Sequence, residues 1–108
     1  MKQKITITGQ EVHNVGYRFF LLDNAVNLGI SGFRAFYSMK GEVQTVVALI
    51  DGSVEAVEEF KKMVQSKKPE HALVSSIAFE ETDVNIVRID VYAQFYSTVL
   101  LNRLLTQW

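Results

Sequence analysis

Within the first 93 residues the chain switches its hydrophobic period from two to helical and back, twice, and few folds accommodate that order. Ile5 and Ile7 alternate with Lys4, Thr6 and Thr8, the pattern of a strand with one buried face, and Gly9 closes it. From Tyr17 to Leu28, Phe20, Leu21, Ala25, Val26 and Leu28 recur at helical spacing, and Gly29 supplies a left-handed stop. Gly29–Ser38 and Glu42–Ile50 are β-branched or aromatic runs separated by Met39-Lys40-Gly41, which predicts an antiparallel hairpin. Ser53 can cap a second helix with the buried stripe Val54, Val57, Phe60 and Val64, and with Glu58 and Lys62 paired at i, i+4 on the wet side. Lys67-Lys68-Pro69 ends that helix, and a fourth strand is expected at about Ala72–Glu80. Asn85–Ala93 alternates Val87, Ile89 and Val91 against Arg88, Asp90 and Tyr92, a further strand or a continuation of the fourth. The order βαββαβ predicts an α+β, ferredoxin-like sandwich: a four-stranded antiparallel sheet with two helices on one face.

A chain of 108 residues is the size of one domain with one core. We assign residues 1–93 to it and read 94–108 as an apolar C-terminal extension. Phe95, Tyr96, Val99, Leu100, Leu101, Leu104, Leu105 and Trp108 fall there with Arg103 as the only charge, so the segment must bury something. A helix docked on the same domain and a contact with a second subunit both answer that need. No apolar stretch reaches the roughly 20 residues of a membrane span, and the start lacks a signal-like run, so a soluble, cytoplasmic protein is expected.

The absence of cysteine removes disulfides, thiolate metal sites and thiol nucleophiles together. A formal net charge of −1 argues against broad binding to nucleic acid or anionic membranes. Phe33, Phe36 and Tyr37 are the aromatics a base-stacking platform needs, but the strands that would carry its partners offer Ile5, Ile7, Val43, Thr45 and Val47, and the chain is not basic. The two histidines, His13 and His71, are far apart in sequence; His71 reads as a surface residue, and neither a metal nor another cofactor is implied.

One segment suggests chemistry. The link from strand one to helix one reads Gly9-Gln10-Glu11-Val12-His13-Asn14-Val15-Gly16-Tyr17-Arg18. Amides leading into a helix N-terminus point one way and carry the positive end of the helix dipole, and small or αL-tolerant residues let an anion approach. Asn14 and Gly16 meet that need, and Arg18 can add a guanidinium fork matching two phosphate or carboxylate oxygens. His13, if protonated, would make such binding sensitive to pH. On spacing alone, a plain strand-to-helix turn with a solvated arginine fits as well.

Val12-His13-Asn14-Val15-Gly16-Tyr17-Arg18, followed by an apolar helix ending Asn27-Leu28-Gly29-Ile30-Ser31-Gly32-Phe33, resembles the acylphosphatase family, whose signature runs V-Q-G-V-G-[FY]-R and later L-G-[LI]-x-G-W-V-x-N. The likeness runs from about Lys4 to Ala93 and includes a Pro-x-x-Ala as Pro69-Glu70-His71-Ala72. It implies hydrolysis of the carboxyl-phosphate anhydride of small acyl phosphates without a metal or covalent intermediate. It also implies that Arg18 and the amides of His13, Asn14, Val15, Gly16, Tyr17 and Arg18 hold the phosphoryl oxygens.

The chain departs from the family in several places. His13 stands for glutamine and Asn14 for glycine, and one extra residue between Gly9 and Val12 calls for a bulge. The asparagine that orients water in the family is absent. Counted from Phe33 its column falls on Phe36, although the longer turn beyond would let a shifted alignment bring in Tyr37 or Ser38. Three expectations follow: an anion cradle with weak or lost hydrolysis, an acylphosphatase with a substituted water-positioning residue, or a non-catalytic interaction or oligomerisation module working through residues 94–108.

Overall fold

The computed structural model describes residues 1–106. Its elements are β1 (Lys2–Gly9), α1 (Tyr17–Asn27), β2 (Gly32–Lys40), β3 (Val43–Asp51), α2 (Val54–Ser66), β4 (Ser76–Glu81) and α3 (Ile89–Thr106). The four strands form one antiparallel sheet in the order β2-β3-β1-β4, the ferredoxin-like α+β arrangement that the order of periods predicts.

Register decides which side chains meet the helices. Ile5 stands opposite Ala48 and Phe79, Ile7 opposite Val46 and Ile77, while Phe33, Ala35 and Tyr37 stand opposite Ile50, Ala48 and Val46. Because neighbours along a strand point to opposite faces, these residues share one face, and Arg34, Phe36 and Ser38 lie on the other. The first face is the core: Ile5, Ile7, Phe33, Val46, Ala48 and Ile50 are buried there with Tyr17, Leu21 and Ala25 of α1 and Val57, Phe60 and Val64 of α2.

The helices differ from the sequence reading in detail. Leu22 is buried on α1 and Val26 is exposed, because the face in contact follows the i, i+4 row 17, 21, 25 and its neighbour at 22. On α2, Ser53 caps by accepting from the Ala56 amide at 3.1 Å. Val54, in the first turn, stays exposed and Met63 completes the stripe in its place. The expected Glu58–Lys62 pair is replaced by Glu58–Lys61 and Glu59–Lys62, both at i, i+3 on the surface.

The fourth strand begins at Ser76, later than expected, because Leu73 pairs with Glu11 in an isolated bridge outside the strand. The fifth strand is replaced. Chain around Val87 runs along the free edge of β2, where the Phe33 amide donates to the Val87 carbonyl at 3.0 Å and the Ile89 amide to the Ser31 carbonyl at 2.9 Å. From Ile89 the backbone is helical. The C-terminal segment is therefore a helix that starts inside the stretch read as a strand. Its buried positions among the described residues, Tyr92 and Tyr96, are one helical turn apart. Tyr92 docks it to β2, its hydroxyl donating to the Ala35 carbonyl at 2.9 Å and its ring edge-on to Phe33 with centroids 5.1 Å apart. Trp108 and the side chains from residue 103 onward, including Leu104 and Leu105, lie outside the described residues. No helix among the described residues is long and apolar enough to cross a membrane.

Candidate functional site

Gly9, the last residue of β1, stands opposite Gln44, the second residue of β3. From that position the Gln44 carboxamide reaches the loop that follows β1: its Oε1 accepts from the Val12 amide at 3.0 Å and the His13 amide at 2.9 Å. One side chain thus occupies two donors and ties the loop to the sheet, while the fully buried Val12 side chain anchors it in the core. The extra residue is not bulged out against the neighbouring segment. Thr8 pairs with Ser76 and Glu11 with Leu73, three residues on in each chain, so the register stays in step up to Glu11.

Beyond His13 the backbone turns twice through the left-handed region, at Asn14 (φ 58°) and Gly16 (φ 79°). These are the two positions the sequence marks as tolerant of that geometry, and asparagine is the mildest replacement for glycine at the first. α1 then begins at Tyr17, and the Gly16 carbonyl accepts its first helical bond from the Phe20 amide at 2.9 Å. The amides of Asn14, Val15, Gly16, Tyr17 and Arg18 donate to no described residue. The first turn of any helix leaves such donors, and here the loop adds two more to them. Of the six amides in the sequence reading, His13 alone is committed elsewhere, to Gln44.

Arg18 projects from the first turn of α1. Its guanidinium carbon lies 4.3 Å from the centroid of the Tyr37 ring and 5.6 Å from that of Tyr96 on α3. Its Nε is buried without a hydrogen-bond partner, and no carboxylate among the described residues pairs with it. The cation is held by aromatic faces and keeps its remaining donors for a ligand. His13 extends the stack: its ring lies 4.5 Å from that of Tyr37, and its Nε2 sits 2.8 Å from the Thr45 carbonyl. A carbonyl only accepts, so Nε2 carries the hydrogen.

Tyr37, on the core face of β2, is the residue brought beside Arg18. Phe36 lies on the opposite face, with Arg34 above its ring at 5.0 Å. Counting from Phe33 therefore lands one position short of Tyr37, the strand residue beside Arg18. Ser38 shares the face of Phe36. The aromatic trio of the hairpin is divided: Phe33 is fully buried, and Phe36 and Tyr37 point opposite ways. His71 is exposed near the start of the Leu73 bridge. Among the described residues no three His, Cys, Asp or Glu side chains come together.

Two neighbouring phenols carry the mark of burial. The Tyr17 hydroxyl is enclosed with no partner among the described residues, and desolvation pushes it up to about 12. Tyr92 is raised as well, mainly by desolvation, against the lowering effects of the Arg18 charge and the Ala35 hydrogen bond.

The acylphosphatase family model matches residues 3–93. The chain belongs to the acylphosphatase family. It is 36% identical over 72 residues to an acylphosphatase of Aliivibrio fischeri, an alignment that covers 67% of this chain and 74% of that protein. Among solved structures, an acylphosphatase from Coxiella burnetii superposes with a TM-score of 0.58 at 18% identity, covering 78% of this chain and 82% of that one. The acylphosphatase from Bacillus subtilis gives 0.56 at 21%, covering 82% and 94%. Full-length HypF, in its phosphate- and nucleotide-bound form, gives 0.66 at 22%, with 77% of this chain matching 10% of that much longer one. These structural likenesses share the fold of this acylphosphatase-family chain. Gln44, Tyr92 and Tyr96 are the site neighbours that the sequence reading omits. Gln44 was within reach of the hairpin register, since it is the second residue of β3, opposite Gly9; nothing in the sequence marks Tyr96 as a neighbour of Arg18.

Proposed function

We propose that this protein holds the phosphoryl group of small acyl phosphates on the amides of Asn14–Arg18 and the Arg18 guanidinium, and hydrolyses them slowly. The observation that carries the reading is the set of unpartnered amides at the N-terminus of α1 beside an arginine that has no acidic partner among the described residues. Such a cluster offers fixed positive partial charge where a phosphoryl oxygen would sit. No metal or other cofactor enters this reading, and we place the protein in the cytoplasm.

Slow turnover follows from what faces the cradle. The family's asparagine offers a water molecule a donor and an acceptor on separate atoms, whereas Tyr37 presents a ring that lies against Arg18, and Phe36 presents no polar atom. Loss of one preorganised polar group at a hydrolytic site typically costs on the order of 100- to 1000-fold in rate. Phosphate release from acetyl phosphate, corrected for spontaneous hydrolysis, tests the proposal with wild type, Arg18→Ala and Tyr37→Asn. Expected are a slow rate in wild type, none in Arg18→Ala, and a gain in Tyr37→Asn. Equal rates in wild type and Arg18→Ala would remove the site. Fast turnover that Tyr37→Phe abolishes would instead make the Tyr37 hydroxyl the water-positioning group, the second reading that its place beside Arg18 favours.

A further inference from the structure

The helix α3 does more than cover the edge of the sheet. Between it and β2 lies an open cleft of about 460 Å³, within the range of roughly 300 to 1,000 Å³ common to small-molecule sites. Its walls are apolar: Val87, Val91, Phe95 and Val99 on one side and Phe36 on the other. Arg18 and Arg34 also line it, and no carboxylate among the described residues does. Arg18 thus belongs to both features, its backbone amide and guanidinium to the cradle and its side chain also to the lining of the cleft.

We propose that this cleft receives the acyl chain of the ligand, so that the protein selects acyl phosphates carrying an apolar chain of several carbons over acetyl phosphate. The proposal rests on the cradle reading above and names its substrate class. Because Arg18 borders both the amides and the cleft, a carbon chain attached to an anion held there has the cleft as its adjoining apolar surface. The charge pattern suits an anionic head with an apolar tail, and an acidic side chain that would repel the head is missing from the lining. Exposure supports the same occupant: Val87, Val91 and Phe95 remain 47%, 44% and 63% exposed along one stripe, an arrangement that a bound hydrocarbon chain would cover.

The test uses inorganic phosphate and methyl-, butyl- and octylphosphonate as stable probes, with binding measured by calorimetry on the full chain. A buried methylene is worth about three- to fourfold in affinity, and a half-open cleft about half of that in free energy, so affinity should rise about twofold per carbon. Phe95→Ser and Val91→Ser, both at partly exposed positions where urea midpoints check that the fold is kept, should flatten that rise and leave phosphate affinity unchanged. Phosphate binding with a flat chain-length series would overturn the acyl-chain inference and leave the cradle standing. Absence of phosphate binding would overturn the cradle reading; if octylphosphonate then still bound, and Arg18→Ala did not weaken it, the cleft would be an apolar site unrelated to the anion. Sedimentation supplies the remaining arm: a dimer lost in Phe95→Ser and undisturbed by octylphosphonate would assign the cleft to a second copy of the chain and overturn the proposal.

Discussion

Gln44 is the residue through which the sheet sets the shape of the loop, and two substitutions separate its structural and electrostatic effects. Gln44→Ala leaves the Val12 and His13 amides, now bonded at 3.0 and 2.9 Å, without their shared acceptor in a half-buried setting. A net contribution of about 0.5 to 1.5 kcal/mol per bond predicts a loss of about 1 to 3 kcal/mol in unfolding free energy. With the loop untied, phosphate affinity should fall as well. Gln44→Glu keeps an acceptor, and a stronger one, so stability at neutral pH should change little. It also sets a negative charge beside the loop. Were the anion on the amides of Asn14–Arg18 to lie about 7 Å from that charge, an effective dielectric of about 20 to 40 would give a repulsion of about 1 to 2.5 kcal/mol, or about 5- to 70-fold in affinity. That weakening should shrink with added salt. Urea titrations and phosphate calorimetry on the same samples check both. If Gln44→Glu bound phosphate as tightly as wild type, the anion would not lie on these amides, and the cradle argument would fail.

Other substitutions probe the surroundings. Tyr17→Phe removes a buried hydroxyl without a partner, so it should leave stability at pH 7 unchanged or raise it by about 1 kcal/mol. Because burial raises the Tyr17 phenol from 10.0 to about 12, its contribution is present in full below pH 10 and is lost as pH rises through 12. At about 1.4 kcal/mol per unit this removes about 2 to 3 kcal/mol, and the fall should be absent in Tyr17→Phe when urea midpoints are followed across that range. Gly9→Ala would drive a methyl group into the Leu73 carbonyl, and should lower stability by about 2 kcal/mol or more, read as a lower urea midpoint. Tyr92→Phe deletes the bond to the Ala35 carbonyl at a cost of about 1 kcal/mol, and should speed amide exchange in α3 while β1 and α1 keep their protection.

The parts of the molecule legible in the sequence are those where one local rule acts alone. Ile5 and Ile7 alternate in a strand that is paired on both sides, and Asn14 and Gly16 are the residue types that positive φ demands. Asn85–Ala93 misleads because Val87 and Val91 fit a two-residue and a four-residue spacing equally. The helical period separates from the strand period only when Tyr92 and Tyr96 are read together, beyond the apparent end of the strand. Counting columns from Phe33 leads to Phe36, but neighbours along a strand point to opposite faces, and the residue beside Arg18 is Tyr37. The contact between Arg18 and Tyr96 joins residues 78 positions apart through the docking of α3, which no local pattern encodes.

The central claim is that an anion rests on the amides between Asn14 and Arg18. Titration of the 15N-labelled protein with inorganic phosphate, followed amide by amide, tests it most directly. The account predicts saturable shifts at Asn14, Val15, Gly16, Tyr17 and Arg18, a much smaller shift at His13, whose amide is already bonded to Gln44, and loss of the response in Arg18→Ala. Shifts confined to other surfaces, or a response that survives intact in Arg18→Ala, would contradict it.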